Sequence, residues 1–196
     1  MMESICFTED INTYFSSVSA VLEKIDRAEL NTAMNQLVDA YSRGTNIYCF
    51  GNGGSAATAS HMLNDFNKGV SAGLNRKFRF QCLNDNLAIL TAIANDIGYA
   101  DVFLEQMRGK LQPGDMIVAI SGSGNSVNVI KGVEYAKSCG CETIGITGYD
   151  GGRLRELADY HMHVPVFDMQ IVEDIHMIFN HMMMRIFRQE LGKRLL

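Results

Sequence analysis

The chain has 196 residues, of which 47% are hydrophobic and 20% charged, a balance typical of a globular protein with a buried core. Its formal net charge of −5, with no basic block, argues against nucleic acid as a partner. No apolar stretch reaches the ~18 residues of a membrane span, and no signal peptide is evident. The five scattered cysteines suit neither a zinc ribbon nor a disulfide framework, so we expect a cytoplasmic protein.

The predicted elements alternate between strands and helices after two opening helices. Apolar periodicity predicts helices over 8–24 and 27–43, the second ending at Arg43-Gly44. A strand over 46–50, a glycine-rich turn and a helix over 54–68 follow. The later predicted elements are a strand over 79–84, helices over 86–95 and 102–111, a strand over 116–121, a helix over 126–138, strands over 142–147 and 159–166, and a helix over 171–191.

This alternation predicts a doubly wound α/β fold, in which a parallel sheet carries helices on both faces. The continuously apolar run over 116–121 is typical of a strand that is covered on both sides. We expect a single domain over 1–196, with N-terminal helices over 1–44 added to an α/β core over 45–196. Ligands of such sheets bind beyond the carboxyl ends of the strands, where the turns lie.

Two glycine- and serine-rich turns come directly after predicted strands and before predicted helices. They are Gly-Asn-Gly-Gly-Ser over 51–55 and Ser-Gly-Ser-Gly-Asn-Ser over 121–126. The free N–H groups and the dipole at a helix N-terminus favour an anion there. The second turn lacks the lysine of a P-loop, and the first does not complete a dinucleotide-binding pattern. The turns therefore predict a small phosphorylated ligand, with an ordinary serine-capped turn as the alternative.

A histidine and an acid follow the first turn. His61 and Asp65 stand four residues apart, so they share one face of a helix. Both residue types serve as zinc ligands and as acid–base groups, although a surface salt bridge is the simpler alternative. Because the pair comes directly after the turn, we expect a ligand held by the turn to lie within reach of both side chains.

The closing helix carries three further polar candidates, Glu173, His176 and His181. Eight helical residues separate Glu173 from His181 by ~12 Å, too far for easy ligation of one ion through bonds of ~2 Å. Either Glu173 precedes the helix proper or neighbouring subunits contribute different ligands, and both alternatives fit a site at a subunit interface. His176 is expected to be structural or to support the site indirectly.

Several motifs occur together in one order over roughly residues 30–190. They are GNGGSAATASH over 51–61, IAND over 93–96, ISGSGNSVNVI over 120–130, ITGYDGG over 146–152 and VEDIHMIFNH over 172–181. In these motifs the chain resembles the sugar-isomerase (SIS) domain and, within it, the phosphoheptose isomerase family. The resemblance implies a homotetramer that converts sedoheptulose 7-phosphate to D-glycero-D-manno-heptose 7-phosphate, with zinc in the site.

The resemblance also implies roles for individual residues. The substrate contacts would be Asn52, Gly53, Gly54, Ser55, Asn95, Asp96, Ser121, Gly122, Ser123, Ser126 and Glu173. The zinc ligands would be His61, Asp65, Glu173 and His181. We predict that Asp65 and His181 form the acid–base pair of an aldose–ketose isomerisation, which passes through an enediol while the metal polarises the carbonyl.

Three positions depart from the family pattern. The family usually has glutamate at Asp65, glutamine at Glu173 and threonine at Gly122. Asp65 shortens a catalytic side chain by one carbon–carbon bond, ~1.5 Å. Because of these departures, the reaction class is better supported than the heptose substrate, and an isomerase for another phosphosugar is an open alternative.

The other alternative is a non-catalytic member of the family that binds the bacterial replication initiator. This chain shares LTAIAND over 90–96 and TGYDGG over 147–152 with that relative. The relative lacks an acid at the position of Asp65 and a histidine at the position of His181. Since this chain has both groups, the sequence favours an enzyme.

Overall fold

The computed structural model of the protein describes residues 5–193, and within them five strands form one parallel sheet. The strands are β1 (Ile47–Gly51), β2 (Phe80–Cys82), β3 (Met116–Ser121), β4 (Glu142–Thr147) and β5 (Tyr160–His163). Their order across the sheet is β2-β1-β3-β4-β5, and every neighbouring pair is parallel. The predicted doubly wound α/β fold is therefore confirmed.

Eight α-helices occur in the described range. They are α1 (Thr8–Lys24), α2 (Arg27–Arg43), α3 (Gly54–Asn64), α4 (Leu87–Asp96), α5 (Val102–Met107), α6 (Val127–Ser138), α7 (Gly152–Leu157) and α8 (Met169–Lys193). The sequence prediction missed α7. It also extended α5 too far, and it did not foresee that α3 continues as a π-helical segment over Asp65–Val70.

Local sequence explains where α2 begins and ends. The Asp26 side chain accepts hydrogen bonds from the backbone N–H groups of Ala28 and Glu29, at 2.8 and 3.1 Å, and so caps the first turn. Gly44 ends the helix in the left-handed conformation, and its N–H donates to the carbonyl oxygen of Ala40 at 2.9 Å. The prediction that α2 ends at Arg43-Gly44 is confirmed.

The core consists of two apolar layers, one on each face of the sheet. Along β1 the side chains alternate, so Ile47 and Cys49 enter one layer while Tyr48 and Phe50 enter the other. The first layer is completed by α2, α3 and α8, and the second by α5, α6 and α7. These layers fix α3 and α8 side by side on the same face of the sheet.

The strand order places both glycine-rich turns at one point. The chain runs from β1 outward to β2 and then returns to β3 on the other side of β1. Such a reversal leaves a crevice at the carboxyl ends of the two central strands, where ligands of doubly wound sheets bind. Gly51, at the end of β1, pairs with Ile120 near the end of β3, so the two turns leave the sheet next to each other.

None of the helices described between residues 5 and 193 combines the length and apolar character that a membrane crossing requires.

Candidate active site

The first turn is held in place by the strand that it follows and by a neighbouring loop. Asn84, just beyond β2, accepts a hydrogen bond from the Gly51 N–H at 3.2 Å and donates one to the Gly51 carbonyl oxygen at 2.9 Å. Gly54 then opens α3, and the Glu173 carboxylate from α8 lies where a Cβ at Gly54 would be. A larger residue at this position would therefore push the Glu173 carboxylate away from the first turn of α3.

The second turn presents its hydroxyl groups to the same crevice. Ser121 is the last residue of β3, and its hydroxyl lies 3.3 Å from that of Ser126, directly before α6. At Gly122 a Cβ would come within 2.6 Å of Met169 Sδ on α8. Where the family usually has threonine, this chain has Gly122, and Met169 occupies the space that a side chain at this position would need.

A cavity of about 180 Å³ lies between the two turns and the start of α8, and we call it the turn cavity. Its lining residues are Asn52, Ser55, Ile120, Ser121, Gly122, Ser123, Ser126, Met169 and Glu173. Seven of the residues predicted to contact substrate are among them, and Gly53 and Gly54 belong to the same turn. The serine hydroxyls and two helix N-termini make the cavity suitable for a phosphate group.

Asn95 and Asp96, which were also predicted to contact substrate, do not line the turn cavity of their own chain. They end α4, which has no buried residue, and the Asn95 amide donates to the Asp96 carboxylate at 2.7 Å. Both side chains are exposed to solvent in the single chain. Their predicted role therefore requires them to face the cavity of another subunit, or a movement of this segment.

A polar network that sequence reasoning missed supports Asn52 at the rim of the cavity. The side-chain amides of Asn52 and Asn128 pair reciprocally at 2.8 and 2.9 Å, and the Tyr99 hydroxyl donates to Asn52 Oδ1 at 2.8 Å. Asn128 is buried in α6 although it is polar. The available signal was an asparagine in the apolar run Val127-Asn128-Val129, because an amide among apolar residues needs a polar partner.

His61, Asp65 and His181 come together where the C-terminal end of α3 meets the middle of α8, in a group that we call the triad. Asp65 is buried, and its Oδ2 lies 3.3 Å from His61 Nε2 and 3.8 Å from His181 Nε2. The two imidazole Nε2 atoms are 3.2 Å apart. Asp65 is the first residue of the π-helical segment, an irregularity that often occurs at functional sites.

The triad fits a tetrahedral metal ion. Zinc bonds to imidazole nitrogen and carboxylate oxygen of ~2.0–2.1 Å place neighbouring ligand atoms of a tetrahedron ~3.3 Å apart. The three separations in the triad, 3.2, 3.3 and 3.8 Å, are close to that spacing. The side chains of His61 and His181 are 42% and 56% exposed, so further ligands can approach from solvent. Two histidines and one carboxylate are a donor set typical of zinc.

Glu173 does not join the other three predicted metal ligands within one chain. Since α8 begins at Met169, Glu173 lies inside the helix, and the alternative that it precedes the helix is wrong. Two helical turns, ~12 Å, separate it from His181, and its carboxylate lies in the turn cavity. A four-ligand site made of His61, Asp65, Glu173 and His181 would therefore need more than one subunit.

The expectation that one ligand reaches both the first turn and the His61–Asp65 pair also needs correction. No triad residue lines the turn cavity. Along α3 the rise from Gly54 is ~10 Å to His61 and ~16 Å to Asp65. Within one chain, the phosphate-type cavity and the triad are thus two separate regions along the same pair of helices.

Comparison with known proteins places the chain in a family. The family model described as "SIS domain" matches residues 13–148. The chain belongs to the SIS-domain family. It is 35% identical to the phosphoheptose isomerase of Aliarcobacter butzleri over 97% of this chain and 96% of the relative. It is 38% identical to a probable phosphoheptose isomerase of Thermoplasma acidophilum over 82% of this chain and 92% of the relative.

A solved structure gives the same result. The phosphoheptose isomerase GmhA from Neisseria gonorrhoeae matches with a TM-score of 0.85 and 28% identity, over 94% of this chain and all of that chain. Within the SIS domains, this chain therefore belongs to the phosphoheptose isomerase family, and the predicted resemblance is confirmed.

The remaining histidine of α8 in this SIS domain has a structural position. His176 is buried, and its Nε2 lies 3.1 Å from the Thr147 carbonyl oxygen. Because a carbonyl oxygen only accepts, Nε2 carries the ring proton and donates this hydrogen bond. Burial lowers the pKa of His176 to about 4, which keeps the ring neutral. His176 therefore joins α8 to the end of β4 between the turn cavity and the triad.

Proposed function

We propose that this SIS-domain isomerase interconverts sedoheptulose 7-phosphate and D-glycero-D-manno-heptose 7-phosphate in the cytoplasm. The observation that carries the proposal is the triad, since it provides a carboxylate and two imidazoles in a protein whose turn cavity suits a phosphate. The names of the relatives at 35% and 38% identity point to the same reaction. The five cysteines are free thiols, which is in keeping with a reducing compartment.

In the proposed reaction the turn cavity binds the phosphate group of the sugar. The hydroxyls of Ser121, Ser123 and Ser126 and the helix N-termini donate hydrogen bonds to its oxygens. Glu173, in the same cavity, accepts hydrogen bonds from sugar hydroxyls rather than from phosphate, because two anionic groups repel each other.

Asp65 and His181 carry out the proton transfer of the isomerisation. One member of the pair removes the proton from C1 or C2 while the carbonyl oxygen gains a proton, which gives the enediol. A proton then returns to the other carbon as the hydroxyl on the first carbon loses its proton and becomes the new carbonyl. A zinc ion held by His61, Asp65 and His181 would supply Lewis-acid polarisation of the substrate carbonyl. The buried position of Asp65 keeps its carboxylate directed at the two imidazoles.

We propose further that the working site combines the turn cavity of one subunit with the triad of another in a homotetramer. Two spacings support this arrangement: ~16 Å along α3 and ~12 Å along α8 between the two regions of one chain. Apolar side chains exposed in the single chain also support an assembly. They are Phe7 just before α1, Ile11 and Phe15 on α1, Leu87 and Ile89 on α4, and Ile178 and Ile186 on α8.

The experiment that tests the function is an isomerase assay of the purified protein against a panel of C5–C7 ketose phosphates, together with metal analysis. We expect turnover of sedoheptulose 7-phosphate and about one zinc ion per chain. Turnover of a different ketose phosphate would favour the alternative of an isomerase for another phosphosugar. An intact, zinc-free protein that turns over no sugar phosphate would overturn the proposal and favour the initiator-binding alternative.

A further inference from the structure

Asn180 is a buried polar residue on α8 that none of the assignments above uses. Its side chain is fully buried, and its Nδ2 donates a hydrogen bond of 2.8 Å to Asp65 Oδ2. This is the shortest contact that either Asp65 oxygen makes, since Asn64 Nδ2 lies 3.3 Å from Oδ1. Its other side-chain contact is weak, with Met177 Sδ 4.0 Å from Nδ2.

The acceptor atom of Asn180 has no hydrogen-bond partner. Among the described residues, Oδ1 is one of three buried side-chain atoms left without one. A buried acceptor that loses its hydrogen bonds to water destabilises the fold, so an apolar side chain would suit this position better on stability alone. The one good hydrogen bond that Asn180 makes is directed at the triad.

The contact also selects one direction for Asp65. Oδ2 receives the Asn180 N–H on one side and faces the Nε2 atoms of His61 and His181 on the other. An amide N–H hydrogen-bonds only to an acceptor, so it holds Oδ2 in place as an acceptor oxygen and restricts rotation of the carboxylate. The carboxylate is thereby fixed with one oxygen available to a cation.

We infer that Asn180 is a positioning residue, which orients the Asp65 carboxylate for the metal ion that the triad would hold. This inference rests on the proposed function. Hydrogen bonds to a metal-binding side chain typically contribute about 10- to 100-fold to metal affinity or activity. Asn180 does not touch the substrate in this arrangement, so its loss lowers zinc affinity and kcat and leaves KM unchanged.

The test compares Asn180→Leu with the parent protein as full-length chains. Leucine branches at Cγ as asparagine does, but it lacks the donor. We expect zinc affinity, measured by titrating the metal-free protein against a chromophoric chelator, to fall about 10- to 100-fold. We expect kcat to fall comparably, while KM and the thermal midpoint stay near the parent values. Met183→Leu, a buried apolar change on the same helix, is the packing control and should match the parent.

A double-mutant cycle separates positioning from packing. If Asn180 acts through Asp65, Asn180→Leu should have little further effect on zinc affinity in an Asp65→Asn background. Asn180→Ala serves in both backgrounds if the leucine variant does not fold. If the parent binds zinc and isomerises sugar phosphates, and Asn180→Leu has the same zinc affinity and kcat, this inference alone is overturned. A parent that does neither would overturn the proposed function as well.

Discussion

The turn cavity and the triad are built in different ways. The cavity consists mostly of backbone and hydroxyl groups from two short stretches, each of which follows a central strand. The triad brings together ionisable side chains that are distant in sequence, since Asp65 and His181 are 116 residues apart. It depends on the packing of α3 against α8. Binding groups are thus encoded locally, whereas the reactive groups depend on tertiary structure.

The two regions also differ in charge and exposure. The cavity contains a single carboxylate, Glu173, among serines, whereas the triad sets one buried carboxylate between two partly exposed imidazoles. The first arrangement suits recognition of a polar ligand, and the second suits proton transfer or metal binding. Substitutions in the two regions should therefore change different kinetic constants.

The largest effect is expected from Asp65→Asn. A residue that transfers protons contributes about 10²- to 10⁴-fold to rate, so kcat should fall by that factor. Folding should remain nearly intact, because asparagine fills the same space and its oxygen can accept the Asn180 hydrogen bond. The measurement is steady-state turnover of the best ketose phosphate. Asp39→Asn, which alters only an exposed ion pair with Arg43, is the control, and equal turnover in both variants would remove Asp65 from the mechanism.

Mixed oligomers test whether the two regions that work together lie on different subunits. Ser123→Asp places a negative charge in the turn cavity and should raise KM strongly, whereas the exposed substitution Ser19→Asp should not. Co-refolding of equal amounts of Ser123→Asp and Asp65→Asn chains should restore about a quarter of the parental activity, since each shared site draws its two halves at random. Mixtures that stay as inactive as the separate variants would show that each site lies within one chain.

A smaller effect is expected from Glu173→Gln, which removes the carboxylate from the turn cavity but keeps the shape of the side chain. Because the carboxylate accepts hydrogen bonds from the sugar hydroxyls more strongly than a neutral amide does, this change should raise KM up to about tenfold, equivalent to ~1.4 kcal/mol of binding. Glu190→Gln, on the exposed end of α8, is the matched control. A lower KM for Glu173→Gln would mean that the carboxylate repels the phosphate group and does not bind the sugar.

The fold and the turn cavity could largely be predicted from the sequence because their signals are local. The buried run of β3 and the turn after it are contiguous, and parallel strands bring such turns to one edge of a sheet. The short helix α7 gave no comparable signal, since six residues after two glycines look like a loop.

The spacing of His61 and Asp65 predicted that pair, but His181 was joined to it only through the resemblance, and the relation of the triad to the cavity could not be derived. Nothing in the spacing of His61, Asp65 and His181 states how α3 packs against α8. The role of Asn180 was equally hidden, because an asparagine beside a histidine in an amphipathic helix is ordinary until its burial and its contact with Asp65 are known.

The smallest effect on activity is expected at His176, which lies on α8 between the two regions but belongs to neither. Because burial lowers its pKa to about 4 in the folded state, the unfolded chain binds more protons between that value and the ordinary pKa near 6.5. Stability should therefore fall as the pH decreases, with His176 accounting for about 2 kcal/mol between pH 7 and pH 5.

His176→Gln removes this titration while its side-chain N–H can still donate to the Thr147 carbonyl oxygen. Urea unfolding at pH 7 and pH 5 should show a shallower loss of stability in the variant than in the parent, with kcat at pH 7 within about twofold. The half-buried His163, whose pKa is also lowered by burial, should account for less of the slope when replaced in the same way. A variant with the parental pH slope but much lower kcat would instead give His176 a part in the chemistry, and the helix between the turn cavity and the triad would no longer be a passive spacer.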